Sequence, residues 1–139
     1  MRKQGEGAVD VALGYAAGAN GGGVAYAAID APGGRDVLRF PFRLARISPL
    51  IQRAAAYAAL VLTARALRRR GIARARFLVP DAEVVEQLTL GRAVPDGLAL
   101  AYVRLRCALN ALQSYEVTSG ASDELMQRAR AEVALNLAA

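Results

Sequence analysis

The acidic residue that follows a short apolar run is the part of this sequence best placed to do chemistry. The run ends at Val79, Asp81 follows, and a helical pattern with Val84, Val85 and Leu88 on one face begins at once. This order predicts that the Asp81 carboxylate lies at the carboxyl end of a strand, where open α/β sheets bind ligands. The same carboxylate could instead cap the helix by accepting hydrogen bonds from its first turn.

Other kinds of catalytic site are excluded by composition. The chain has no histidine, which removes Ser-His and Cys-His nucleophile pairs and the usual zinc sites. Its single cysteine, Cys107, lies in a helical pattern beside Leu105 and Leu109. We therefore predict a buried, structural thiol.

The charge of the chain favours a nucleic-acid partner. The net charge is +6, the pI is about 10.2, and almost all of the positive charge is arginine, which binds phosphates through two N–H groups at once. The alternative is that a basic surface only keeps the protein in solution. No run approaches the ~18 apolar residues of a membrane span. Residues 1–7 have basic residues but no apolar segment behind them, so we expect a disordered N-terminus, no signal peptide and a cytoplasmic protein.

The elements that must position Asp81 follow from periodicity and turn residues. Residues 8–46 alternate with period two around glycine-rich turns at 18–23 and 30–34, which predicts three antiparallel strands, with Pro41 on an edge strand. Next comes a predicted helix that begins at Ser48 and Pro49 and ends at Gly71, with apolar positions at Leu50, Ala54, Tyr57, Ala58, Val61 and Leu62. The pattern then predicts a strand at 73–79, helices at 82–90 and 98–112, and a strand at 115–118. A last helix is capped by Ser122, Asp123 and Glu124. This predicts one α/β domain over residues 1–139, with a five-stranded mixed sheet and helices on both faces.

Three stretches of the sequence resemble, in the same order, motifs of the type 1 ribonuclease H family. A glycine-rich hairpin at 18–23 precedes an apolar strand, and residues 55–60 resemble the family's Ala-Glu-Tyr-x-Ala-Leu with alanine replacing glutamate. Residues 81–88 resemble the family's strand that ends in Asp-Ser-Glu/Gln and enters a helix. The resemblance implies the ribonuclease H-like three-layer fold.

The resemblance also implies that most of the family's metal site is missing. In such enzymes four carboxylates hold two Mg²⁺ ions roughly 4 Å apart. The corresponding positions carry Gly14, Ala56, Asp81, and either Met126 or Gln127, so only Asp81 is retained. We therefore expect no cofactor, with Mg²⁺ or Mn²⁺ required only if other carboxylates have rearranged to form a site.

The nearest remaining acids are poorly placed to replace the missing ligands. Asp10 shares the face of Gly14 but lies four residues earlier, about 13 Å at the rise of a strand. Asp123 and Glu124 lie about one helical turn before the fourth position.

Candidate nucleic-acid contacts come from three places. Gln52 and Arg53 stand where the family has Asn-Asn, and the backbone of Gly21 and Gly22 could face a nucleic-acid backbone. The densest basic cluster is Arg68, Arg69 and Arg70, with Arg74 and Arg76 nearby. Each has an ordinary alternative: a solvated surface pair, a permissive hairpin, and cations that stabilise a helix C-terminus.

These features support three functional hypotheses. The first is a catalytically inactive ribonuclease H-like domain that binds RNA, DNA or their hybrid. The second is an active, metal-dependent ribonuclease H that cleaves RNA in RNA–DNA hybrids with a rearranged carboxylate site. The third is a structural or self-associating module, such as a homodimer.

Overall fold

The computed structural model describes residues 8–44, 50–120 and 122–138, with side chains up to residue 136. Its elements are, in chain order, β1 (Ala8–Ala17), β2 (Gly22–Ala31), β3 (Gly34–Arg43), α1 (Ile51–Arg69), β4 (Arg74–Val79), α2 (Ala82–Leu90), a 3-10 turn (Asp96–Leu98), α3 (Ala99–Asn110), β5 (Ser114–Ser119) and α4 (Asp123–Ala138).

The strands form one mixed sheet in the order β3-β2-β1-β4-β5. β1 and β2 pair antiparallel, as do β2 and β3, whereas β4 is parallel to both β1 and β5. The predicted five-stranded mixed sheet is confirmed. Pro41 lies on the edge strand β3, where its missing N–H leaves no gap inside the sheet.

Helices cover both faces of the sheet, which confirms the predicted three layers. Val9, Val11 and Leu13 of β1 belong to the larger apolar core, which α1 covers. Ala16 of the same strand joins a second, smaller core with Leu125 of α4. β1 is therefore buried from both sides over its second half, and its alternation of apolar and polar residues stops there.

The alanine-rich helix α1 is oriented differently from the prediction. Of the positions expected to form its apolar face, only Tyr57 is fully buried. The inner face instead carries small and apolar side chains at Ala55, Ala56, Ala59, Leu60, Thr63, Ala64, Ala66 and Leu67. Because α1 is packed between the sheet and α3, alanine around most of its surface is compatible with several rotations of the helix. The helix ends where predicted, since Gly71 has φ 77°.

The prediction of a buried Cys107 is wrong, whereas the predicted apolar face of α2 is found. Cys107 is exposed, because α3 buries Leu105 and Leu109 and a residue two positions from each points away from them. On α2 the predicted apolar face is confirmed, since Val84 is fully buried and Val85 and Leu88 pack against the larger core. Gln87 is buried beside them, which the pattern did not indicate. Gln87 is accepted in the core because its amide oxygen receives a hydrogen bond from the Tyr57 hydroxyl.

Some predictions lie outside the described residues. These are the disordered segment 1–7 and the helix start at Ser48 and Pro49. Among the helices that the structure describes, none has both the length and the apolar character needed to cross a membrane.

Candidate functional site: the crevice beside Asp81

The candidate site is a crevice at the carboxyl ends of the parallel strands β1 and β4. Their last registered pair is Ala12 with Leu78, so two residues further on Gly14 reaches the level of Pro80, next to Asp81. The chain leaves β1 toward β2 on one side and leaves β4 toward β5 on the other. Ligands of open α/β sheets bind at such a switch point. A cleft of about 610 Å³ opens there.

Asp81 caps α2. Its Oδ1 accepts hydrogen bonds from the backbone N–H groups of Glu83, at 3.0 Å, and Val84, at 3.2 Å. The backbone of Asp81 is extended, with φ −107° and ψ 105°, as is usual for an N-cap residue. The predicted capping role is confirmed, and it occupies one of the two carboxylate oxygens.

The second oxygen of Asp81 faces Arg53. The Arg53 Nε lies 3.4 Å from Asp81 Oδ2, and its Nη1 lies 2.7 Å from Glu83 Oε2. The Arg53 and Asp81 side chains are only 18% and 20% exposed, whereas Glu83 is 67% exposed. Burial alone would lower the pKa of Arg53, but the hydrogen bond to Glu83 and the charge of Asp81 outweigh it, so its pKa is raised. Arg53 is therefore a cation held against Asp81 and Glu83, two residues that line the crevice.

The position of Gly14 has no room for a side chain. A Cβ built there would lie 2.6 Å from the backbone nitrogen of Met126 and closer still to the backbone and Cβ of Leu125. Real Cβ atoms do not approach other atoms so closely, so any side chain would force α4 away from the sheet. Ala56, at the second vacated position, is 0% exposed within the larger core. A carboxylate at either position conflicts with the surrounding packing.

Met126, one of the two residues that the resemblance aligns with the fourth carboxylate, lines the crevice. Its sulfur accepts a hydrogen bond from the backbone N–H of Tyr15 at 3.3 Å, and its side chain packs against the larger core. Of the two residues proposed for this position, Met126 therefore points into the crevice, and Gln127 is exposed.

Tyr15 also lines the crevice. Burial, followed by the charge of Asp81, raises the pKa of the Tyr15 hydroxyl far above its ordinary value, so the phenol stays neutral.

The residues of the crevice do not fit a pair of magnesium ions. Within the described part of the chain, no three acidic, histidine or cysteine side chains are grouped so that they could hold a metal. Asp81 contributes one oxygen to a helix cap and the other to an arginine. Magnesium needs several oxygen ligands in near-octahedral geometry, and a neighbouring guanidinium repels it.

Gln52 and the glycine hairpin lie at the same end of the sheet as the crevice. The Gln52 side-chain N–H donates to the carbonyl of Ala17 at 3.2 Å. In the hairpin, Gly18 N–H donates to Gly22 O, Gly21 N–H to Gly18 O, and Gly22 N–H to the Asn20 side chain. Gly21, with φ 86°, closes this turn. The N–H groups of Gly21 and Gly22, the two predicted backbone contacts, are thus already used within the turn.

The arginine cluster lies at the opposite end of the sheet. α1 is 19 residues long, which is about 28 Å, and it places Gln52 and Arg53 at one end and Arg68 and Arg69 at the other. Arg70 pairs with Asp36 at 3.1 Å. The structure therefore separates the predicted nucleic-acid contacts into two groups instead of one surface.

Sequence reasoning missed Arg130, which lines the cleft from α4. It stands four residues after Met126, and residues four apart share one face of a helix. That spacing could have identified it once Met126 was placed in the site.

Comparison with known proteins gives structural matches only. No protein-family model matches the chain, and no curated protein matches it either. Among solved structures, RNase H1 from the halophilic archaeon Halobacterium salinarum NRC-1 is 20% identical with a TM-score of 0.71, over 93% of this chain and 98% of that chain. The N-terminal RNase H domain of rv2228c from Mycobacterium tuberculosis is 18% identical with a TM-score of 0.73, over 94% and 98%.

A third match, LC11-RNase H1, was solved in complex with an RNA/DNA hybrid. It is 13% identical with a TM-score of 0.69, over 88% of this chain and 91% of that chain. At such identities the matches establish architecture, and they agree with the strand order and the helical layers described above. The chain has the ribonuclease H-like fold.

Proposed function

We propose that this chain is a ribonuclease H-like nucleic-acid-binding domain that does not carry out two-metal hydrolysis. The observation that carries the proposal is the state of Asp81: the one carboxylate kept from the family's pattern caps α2 and pairs with Arg53. A carboxylate engaged on both oxygens is a poor metal ligand, so the crevice no longer has the groups that hydrolysis would need.

Binding of nucleic acid is supported by charge and by fold. The net charge is +6 and is almost entirely arginine, the side chain best suited to phosphates. LC11-RNase H1, which has the same fold, was solved with an RNA/DNA hybrid. Aromatic residues make up only 6% of the chain, which gives little basis for base stacking. We therefore expect contacts to the backbone, with little sequence preference.

The testing experiment compares single-stranded RNA, single-stranded DNA, duplex DNA and an RNA–DNA hybrid by fluorescence anisotropy at low and moderate salt. Affinity should fall steeply between about 50 and 200 mM salt, because counterions are released when arginines neutralise phosphates. The same preparations are incubated with labelled hybrid and Mg²⁺ or Mn²⁺, and no cleavage is expected. Absence of any binding at low salt would contradict the binding half of the proposal.

Cleavage of the hybrid would contradict the catalytic half, provided that it disappears in the Asp81→Asn variant. The control for contaminating nuclease is Asp96→Asn, which removes an exposed carboxylate on the 3-10 turn, outside the crevice. Loss of cleavage in the Asp81 variant alone would establish the alternative of a rearranged, metal-dependent ribonuclease H.

Self-association is the second candidate function, and one observation favours it. Leu100 and Val103 of α3 are 66% and 56% exposed and lie three residues apart on one side of the helix, followed by the exposed Cys107. A dimer through this surface should persist at high salt, because its contacts would be apolar. Light scattering at two salt concentrations, with Val103→Glu as the variant, tests this directly.

A further inference from the structure

The two arginines of α4, Arg128 and Arg130, have different environments. The Arg128 guanidinium lies 4.7 Å from the centre of the Tyr26 ring, and Tyr26 is a residue of β2. Arg130 lines the cleft beside Asp81. Among the described residues no ion pair involves Arg130, and its side chain is exposed. Arg130 is therefore a cation of the crevice that remains available to a ligand.

The two carboxylates that line the crevice are offset by two arginines, of which Arg130 lines the crevice and Arg53 contacts the carboxylates without being part of the lining. Asp81 and Glu83 are both paired with Arg53, and Arg130 adds a second positive charge. Without Arg53, two carboxylates would face the cleft and repel an incoming phosphate, and a metal ion would be needed to screen them. Arg53 screens them permanently, because its guanidinium stays charged at any physiological pH.

We propose that the crevice is a phosphate-contacting subsite that works without a divalent cation, in which Arg53 takes the metal's electrostatic role and Arg130 contacts the phosphate. The ligand is a phosphodiester of a nucleic-acid backbone, so the inference rests on the proposed function. It adds the location of the contact and its independence from metal.

The shape of the cleft agrees with this ligand. Its volume of about 610 Å³ lies in the usual range for binding pockets, and its lining is largely apolar, with Ala16, Ala17, Met126 and Val133 among its residues. An arginine at the rim of such a lining can bind a phosphate through two N–H groups, while the apolar part accommodates the carbon skeleton of the sugar. The position at the carboxyl ends of β1 and β4 is the switch point of the sheet.

The test measures binding of a labelled RNA–DNA hybrid at low salt, in Mg²⁺ and in EDTA. The native protein should bind in EDTA at least as well as in Mg²⁺, because Mg²⁺ competes with arginine for the phosphates. Arg130→Ala should weaken binding about tenfold, the loss of one charge-assisted contact, and should reduce the slope of log affinity against log salt by about one. The matched control is Arg104→Ala, which removes the same charge from an exposed arginine of α3, on the other side of the sheet. It should change the affinity less than twofold.

A second variant tests the role of Arg53. Arg53→Met leaves Asp81 and Glu83 unscreened, so its binding should fall in EDTA and be restored in part by Mn²⁺. Its far-ultraviolet circular dichroism and melting curve establish whether it is folded. If it does not fold, the EDTA comparison on native protein and the Arg130 variant still decide the question.

The possible failures are distinguishable. Loss of native binding in EDTA overturns independence from metal. Equal losses in Arg130→Ala and Arg104→Ala place the contact elsewhere, with the cluster at Arg68 and Arg69 as the remaining candidate, and leave the proposed function intact. No binding of the hybrid or any other nucleic acid at low salt overturns the proposed function itself.

Discussion

The two ends of the β1–β4 pair carry the same kind of ion pair in different surroundings. At the carboxyl end, Arg53 pairs with Asp81, and their side chains are 18% and 20% exposed. At the amino end, Arg76 pairs with Asp10 at 2.7 Å, and these side chains are 47% and 62% exposed. The exposed pair has the shorter distance, yet water can replace either partner there.

Burial, and not the number or length of contacts, decides how much stability is lost when one partner of an ion pair is removed. Removing one partner of a half-buried pair leaves a charge with neither a counterion nor full hydration, which is costly. Removing one partner of an exposed pair leaves a hydrated charge, which costs little. At the carboxyl end, α4 also packs closely over Gly14 of β1.

The largest effect on stability is expected at Gly14, where α4 packs closely against β1. Gly14→Ala should lower the free energy of unfolding by about 2 kcal/mol or more, because its Cβ would overlap the backbone of α4. The control is Gly33→Ala, at the amino end, where a Cβ would meet nothing within 4 Å. The control should stay within about 0.5 kcal/mol of the native protein in urea denaturation. Similar stabilities for the two variants would contradict the close packing of α4 over β1.

Gly14 also limits how a metal site could be restored. The double variant Gly14→Asp and Ala56→Glu would place two carboxylates near Asp81, but the first displaces α4 and the second buries a charge in the larger core. We expect this variant to lose stability without gaining tight Mn²⁺ binding, as measured by calorimetry. Tight binding by a folded double variant would show that α4 can move away from the sheet.

The next largest effect is the difference in stability between variants that lack Arg53 and variants that lack Arg76. Arg53→Met should lower the free energy of unfolding by about 1–2 kcal/mol, less than for a fully buried pair because its partners keep some contact with water. Arg76→Met, its counterpart at the amino end, should leave the melting temperature unchanged. Thermal melts at low salt measure both. Equal losses in the two variants would remove the distinction between the two ends of the sheet.

Two substitutions of Asp81 distinguish the stability that its helix cap contributes from the stability that its charge contributes. Asp81→Asn keeps a side-chain oxygen that can accept from the N–H groups of Glu83 and Val84, whereas Asp81→Ala does not. Loss of the cap should cost about 1 kcal/mol, so the alanine variant should be the less stable of the two by that amount. Amide hydrogen exchange in the first turn of α2 should increase only in the alanine variant. Equal exchange in both would mean that the charge, not the cap, holds this turn.

The sequence was sufficient to predict the sheet and most element bounds, for local reasons. Alternation at Val9, Val11 and Leu13 identifies β1, and the bounds of α2 match the prediction because its cap at Asp81 and its stop at Gly91 are both local signals. The assignment of Gly14 and Ala56 to vacated ligand positions follows from the resemblance to the ribonuclease H family and stays a prediction.

Other features could not be predicted because they depend on long-range packing. The rotation of α1 is not fixed by a run of alanines, whose side chains are nearly equivalent in size and polarity. The pairing of Arg53 with Asp81, and the approach of α4 to Gly14, join residues 28 and about 111 positions apart, and only the assembled sheet brings them together. Arg130 was missed for the same reason.

The smallest effect on stability is expected for the exposed pair of Arg76 and Asp10 at the amino end. It is detected through the pKa of Asp10. The hydrogen bond from Arg76, which outweighs the opposing effect of burial, lowers the pKa of Asp10 below its ordinary value of 3.8. Because the folded-state pKa is the lower one, any stability from this pair is present above the unfolded pKa and is lost as pH falls through the folded pKa. Arg76→Gln should therefore raise the pKa of Asp10 toward 3.8, as followed by carboxyl NMR titration, while stability at neutral pH hardly changes. The native and variant stabilities should converge in acid. A clear loss of stability at neutral pH would show that this exposed pair acts like the one in the crevice, and the contrast between the two ends would fail.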